Sequence, residues 1–156
     1  MKDAMRSVLL VAVAFLAYGV YNACHATQIV SVGDKCLDVA RGATTNGTDV
    51  EIWHCGTGSP NQRWTLTGEN VVGIGGKCLD VNSGGTANGT RVQMWDCKPG
   101  SPNQRWNFRD GQLIGIGHKC LDVVGGNTDN GTLVVLWDCH GGPNQTWSLR
   151  PSVIGP

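Results

Sequence analysis

A unit of about 42 residues is written three times in this chain. Cys-Leu-Asp-Val starts at Cys36, Cys78 and Cys120, and Asn-Gly-Thr at Asn46, Asn88 and Asn130. Trp-x-Cys starts at Trp53, Trp95 and Trp137, and Asn-Gln-x-Trp at Asn61, Asn103 and Asn144, the last one residue early. A unit this short cannot bury its own apolar face, so the three copies must share one core. A site built once is then built three times.

The first residues stand apart from the repeats. Lys2 and Arg6 precede an apolar run from Val8 to Val20, and Cys24-His25-Ala26 puts small residues at the positions of a cleavage site. This is the layout of a secretory signal peptide over residues 1–26. The run is too short to span a bilayer comfortably, and no membrane insertion is expected. The expected mature chain, 27–156, carries 10 basic and 11 acidic side chains with no charge runs. That balance argues against nucleic acid or an anionic membrane surface as the main partner.

Six cysteines remain, in pairs 19 residues apart: Cys36 with Cys55, Cys78 with Cys97, Cys120 with Cys139. Six cysteines allow about 15 connectivities. A bridge within each unit is the pairing that treats all three alike, and in a secreted chain it is the expected one. His54 and His140 flank Cys55 and Cys139, which raises the question of zinc. Yet no two cysteines stand two to four residues apart, and the second unit has Asp96 in place of the histidine. No metal and no cofactor is expected.

Each unit yields four short strand candidates, near 29–32, 36–39, 50–54 and 63–66 in the first, 71–74, 78–81, 92–96 and 105–108 in the second, and 113–116, 120–123, 134–138 and 146–149 in the third. Val30 and Val32, Val72 and Ile74, and Ile114 and Ile116 keep a period of two, which buries one face. Asn-Gly marks a tight turn before each third strand. Twelve short strands without a helical period predict a closed all-β body with pseudo-threefold symmetry, closure also removing sheet edges. All six tryptophans lie in the repeats, two per unit. Trp64, Trp106 and Trp147, in Gln-x-Trp within a predicted strand, are expected to fill the core with the indole N–H bonded to backbone. Trp53, Trp95 and Trp137, among polar neighbours, are the candidates for the surface.

The recurring polar residues combine with these outer rings into three sets: Asp38, Trp53, Asn61 and Gln62; Asp80, Trp95, Asn103 and Gln104; Asp122, Trp137, Asn144 and Gln145. An acceptor-only carboxylate, a two-way amide and a flat apolar ring suit a sugar: hydroxyls donate to Asp and exchange bonds with Asn, and the C–H face of the pyranose lies on the indole. The Gln side chains serve equally well to satisfy backbone groups.

With Gln62-Arg63-Trp64, Gln104-Arg105-Trp106, Gln145-Thr146-Trp147 and the paired cysteines, the chain resembles the ricin B-type (R-type) lectins, or family 13 carbohydrate-binding modules, over 28–149. The resemblance implies a β-trefoil with repeats near 28–69, 70–111 and 112–152, and a glycan partner of galactose type or a related sugar. It implies that Asp38, Asp80 and Asp122 and Asn61, Asn103 and Asn144 bind hydroxyls, that Trp53, Trp95 and Trp137 stack, and that the adjoining Gln supports them. At a position where some sites of the family carry a contacting Gln, this chain has Glu51, Gln93 and Val135, which implies unequal sites. Asn46, Asn88, Asn130 and Asn144 also begin glycosylation sequons, so a glycan on Asn144 would block the third site.

Two other classes compete. Glycoside hydrolysis needs two carboxylates about one bond, and each unit shares one Asp; Asp96 and Asp138 are possible seconds, but the first unit has His54 there. A protein-binding trefoil, such as a protease inhibitor or host-interacting factor, works through one loop and has no need of Asp, Trp and Asn in every unit. The expectation is a secreted, extracellular, multivalent lectin without catalytic activity.

Overall fold

In the computed structural model, which describes residues 26–152, there are twelve strands and nine 3-10 turns. The expected signal peptide lies outside the described residues but for Ala26. The strands are β1 (Thr27–Ser31), β2 (Lys35–Val39), β3 (Thr48–His54), β4 (Thr65–Thr67), β5 (Asn70–Val72), β6 (Lys77–Val81), β7 (Thr90–Asp96), β8 (Asn107–Arg109), β9 (Gln112–Ile114), β10 (Cys120–Val123), β11 (Thr132–Trp137) and β12 (Ser148–Pro151).

Pairing is antiparallel throughout and repeats three times. The first two strands of each unit pair, β1–β2, β5–β6 and β9–β10, and the second pairs with the third, β2–β3, β6–β7 and β10–β11. The fourth strand of one unit pairs with the first of the next, β4–β5, β8–β9 and β12–β1, which joins the chain ends. The third strands also pair with one another, β3–β7, β7–β11 and β11–β3. This is the all-β trefoil expected, with Cys36–Cys55, Cys78–Cys97 and Cys120–Cys139 bridged within their units.

The core is built in layers of three, one residue from each unit. Leu37, Leu79 and Leu121 form one layer and Val39, Val81 and Val123 another, all fully buried. Val50, Val92 and Val134, then Ile52, Met94 and Leu136, come from the third strands. Trp64, Trp106 and Trp147 are buried, and their indole nitrogens donate to the carbonyls of Leu37, Leu79 and Leu121 at 2.9, 2.9 and 3.0 Å.

These tryptophans do not sit in a strand, as the pattern predicts, but one residue before β4, β8 and β12. Proline opens a 3-10 turn at Pro60–Gln62, Pro102–Gln104 and Pro143–Gln145, and the continuous strand starts only beyond the tryptophan, Trp64 making a single bridge to Thr27. The first strands also end earlier than predicted. Val32–Asp34, Ile74–Gly76 and Ile116–His118 turn back at once, through Gly33, Gly75 and Gly117 with φ of 67°, 69° and 67°.

Candidate functional site

Side chains alternate along β2, β6 and β10, so Leu37 and Val39 face the core while Asp38 points to the opposite face. There the 3-10 turn of the same unit folds over it. Asp38, Asp80 and Asp122 are nine-tenths buried or more. The outer tryptophans lie on the facing strand: Trp53 and Trp137 are 44% and 41% exposed, and Trp95 is partly covered. Lys98 Nζ stands 6.0 Å from the Trp95 ring centre.

The three glutamines of Gln-x-Trp are the fixed members of the sets. Gln62 Nε2 donates to Asp38 Oδ2 (2.7 Å) and to the His54 carbonyl (2.9 Å), and its oxygen accepts the Gly56 N–H (2.8 Å). Gln104 makes the same three bonds, to Asp80, the Asp96 carbonyl and the Lys98 N–H. Gln145 does so with Asp122, the Asp138 carbonyl and the His140 N–H. Both amide hydrogens are spent and the side chains are at most 2% exposed, so these glutamines hold the carboxylates in place and offer nothing outward.

Around that common frame the sets differ. Asn61 Nδ2 donates to both oxygens of Asp38 at 3.1 Å, and Ser59 Oγ donates to Asn61 Oδ1 at 3.0 Å. Asn144 Nδ2 gives its two hydrogens to Asp122 Oδ2 (3.0 Å) and the Val123 carbonyl (3.3 Å), so a glycan on that nitrogen would break this arrangement. In the second set the donor is Gln93, whose Nε2 lies 3.2 Å from Asp80 Oδ1, while Asn103 lines the same hollow.

Glu51, Gln93 and Val135 stand directly across the ladder from Asp38, Asp80 and Asp122. In the first set this opposes two carboxylates. Burial, then the neighbouring Asp38 and Asp49, raise the Glu51 carboxyl above the usual range, with Arg41 acting the other way. Burial also raises Asp38, against the bonds from Asn61 and Gln62.

Two features of the sites escape a reading of one unit at a time. Each set is finished by the preceding unit in the ring. A Cβ on Gly131 would lie 3.7 Å from Trp53, one on Gly47 3.9 Å from Trp95, and one on Gly89 3.8 Å from Trp137. These are the glycines of Asn-Gly-Thr, with φ of 88°, 86° and 85°. Their asparagines clasp the same neighbour. Asn46 Oδ1 accepts the Asp96 N–H and Lys77 Nζ, and its Nδ2 donates to Asp96 Oδ2 (2.7 Å). Asn88 repeats this with Asp138 and Lys119. Lys77 and Asn46 hold Asp96 below the usual carboxylate range, as Lys119 and Asn88 hold Asp138. Asp96 and Asp138 are thus committed to the clasp. Asn130 accepts from Lys35 and the His54 N–H without a carboxylate.

The second feature is the residue after the second half-cystine: Gly56, Lys98 or His140. Lys98 lines the second hollow with Asn82 and Ser83, and His140 lines the third with Val124. Unlike residues in an otherwise repeated column were the available signal for these positions.

The family of the ricin-type beta-trefoil lectin domain matches residues 25–147, and the chain belongs to it. It is accordingly a carbohydrate-binding domain. A designed threefold-symmetric protein, ThreeFoil, superposes with a TM-score of 0.72 at 31% identity, over 80% of this chain and 96% of that one. The agglutinin of Abrus precatorius gives a TM-score of 0.73 at 25% identity, over 80% and 47%. The C-half of the earthworm R-type lectin, solved with GalNAc, shares the fold with a TM-score of 0.72 at 18% identity, over 82% and 99%. Nigrin b of Sambucus nigra is 41% identical over 44 residues, which is 28% of this chain and 8% of that protein.

Proposed function

We propose that this protein is a secreted, non-catalytic lectin with three shallow sites for galactose-type or related sugars. The observation that carries the reading is one constellation formed three times: a buried carboxylate fixed by a buried glutamine, an amide beside it, and an outer tryptophan on the facing strand. Asp38, Asp80 and Asp122 accept sugar hydroxyls, assisted by Asn61, Asn103 and Asn144, while Trp53, Trp95 and Trp137 carry the apolar face of the ring. Gln62, Gln104 and Gln145 orient the carboxylates. The signal-type leader and the three disulfides support an extracellular location.

A site that takes one sugar unit binds at about millimolar strength, roughly −4 kcal/mol. Replacing Asp38, Asp80 and Asp122 by Ala, singly and together, is the direct test on a glycan array. Each single variant is expected to weaken binding and the triple variant to abolish it with the disulfides intact. A triple variant that binds as wild type would overturn the assignment.

Asp38 and Glu51 are the one pair of carboxylates facing each other in a candidate site, so they are where hydrolysis would have to occur. Release of reducing ends from labelled oligosaccharides, lost in E51Q, would contradict the non-catalytic reading.

A further inference from the structure

The third hollow differs from the second in size and in lining. It encloses about 530 Å³ against about 190 Å³. Across the ladder from Asp122 stands Val135, where the other units place Glu51 and Gln93. In the loop after β10 stands Val124, where the others have Ala40 and Asn82. Val124 is 44% exposed beside Trp137 at 41%, so two of the most exposed large apolar side chains of the described residues lie in one hollow.

The same hollow holds the polar groups Asp122, His140 and Asn144. Asp122 Oδ2 receives Asn144 (3.0 Å) and Gln145 (2.8 Å), and His140 Nε2 lies 3.3 Å from the same oxygen. The Gly142 N–H donates to His140 Nδ1 (3.1 Å), which turns Nε2 towards Asp122. Three groups thus converge on one oxygen, and Oδ1 accepts no hydrogen bond from the described residues.

We infer that the third site selects a hexose carrying an apolar substituent, an acetamido methyl or a 6-deoxy methyl, over the plain hexose, and that Val124 and Val135 impose the choice. The inference rests on the lectin reading. A sugar anchored on Asp122 Oδ1 and stacked on Trp137 lies against Val124 and Val135, which line the same hollow. A hydroxyl there loses water and finds no partner, which is unfavourable. A methyl there removes apolar area on both sides from water. One such group in an apolar pocket is worth about tenfold or more in discrimination. The second site, with Gln93, Asn82, Ser83 and Lys98 on its walls, has no such edge.

The three outer tryptophans make the sites separately observable. In the 15N-labelled protein, the indole N–H signals of Trp53, Trp95 and Trp137 are assigned by single Trp→Phe variants. Each is then followed against galactose, N-acetylgalactosamine and 6-deoxygalactose. The Trp137 signal is expected to titrate at roughly tenfold lower concentration with at least one substituted sugar than with galactose. Which sugar does so distinguishes the acetamido methyl from the 6-deoxy methyl, and Trp95 is expected to show no such preference. In V124N/V135Q the preference at Trp137 should fall to near unity, with the Trp53 and Trp95 responses unchanged as the control for an intact fold. An equal response of Trp137 to all three sugars, or a preference that survives the double substitution, overturns the inference and leaves the lectin reading standing. Silence of all three signals towards every sugar would instead remove the lectin reading, and this inference with it.

Discussion

Glu51 is the residue at which the threefold pattern is most strained. It faces Asp38 across an antiparallel pair, and like charges so placed destabilise a sheet by about 0.2–1 kcal/mol. Glu51 is partly exposed, so solvent screening keeps the effect at the low end. Both carboxyls are raised in the folded state, so both are protonated, and cost nothing, at pH below the ordinary carboxylate range. The cost appears as pH rises through their raised folded-state values and is complete above them. Glu51→Gln should therefore stabilise the protein modestly at pH 7, with the gain gone below about pH 4. Thermal unfolding of both proteins across that range tests this; a gain that persists at low pH would contradict it.

At the scale of elements, the inner tryptophans depend on what the next unit puts against them. A Cβ on Gly73 would come within 2.8 Å of Trp64 and 3.0 Å of Met94, and one on Gly115 within 2.9 Å of Trp106. Gly73 has extended backbone, φ −114°, so its side chain is excluded by packing and not by conformation. The first unit carries Ser31 at this point, with its hydroxyl donating to the Thr146 carbonyl (2.9 Å). Gly73→Ala should cost about 1–3 kcal/mol through overpacking. Calorimetry reads this as a lower midpoint; an unchanged midpoint would show that the junction has slack. The strands, half-cystines and inner and outer tryptophans of these elements were legible from period and spacing, but the buried face of the first strands was not: Ile29, Val71 and Leu113 carry it, while Val72 and Ile114 are only partly buried. The 3-10 turn before each inner tryptophan was not legible either, because proline at a turn start and a strand start look alike in a short apolar run.

Across the whole molecule, the units are joined by core layers, by pairing of the third strands and by the Asn-Gly-Thr clasps. Each disulfide closes a loop of 19 residues, worth roughly 3 kcal/mol in the chain-entropy model. A rigid body with three proposed sites gains by multivalency where a glycan surface engages more than one of them. Apparent affinity for a dense glycan surface should exceed that for the free sugar by about 10²–10⁴-fold, and any single Asp→Ala change should remove much of the gain. Surface plasmon resonance at two glycan densities measures it; identical affinities for free and clustered sugar would mean that one site acts alone.

By itself the sequence determined the repeat, the disulfide pairing, the closed all-β body and the division of tryptophans into inner and outer rings. Each of these follows from period and spacing, which a linear chain records. The tertiary structure decided what depends on neighbours distant in sequence. It turned Gln62, Gln104 and Gln145 into buried supports, because their donors and acceptors are all satisfied. It placed Gly131 of the third unit beside Trp53 of the first. It set Val124 beside Val135, Trp137 and His140 through the pairing of β10 with β11, and added Gly89 of the second unit to the same hollow.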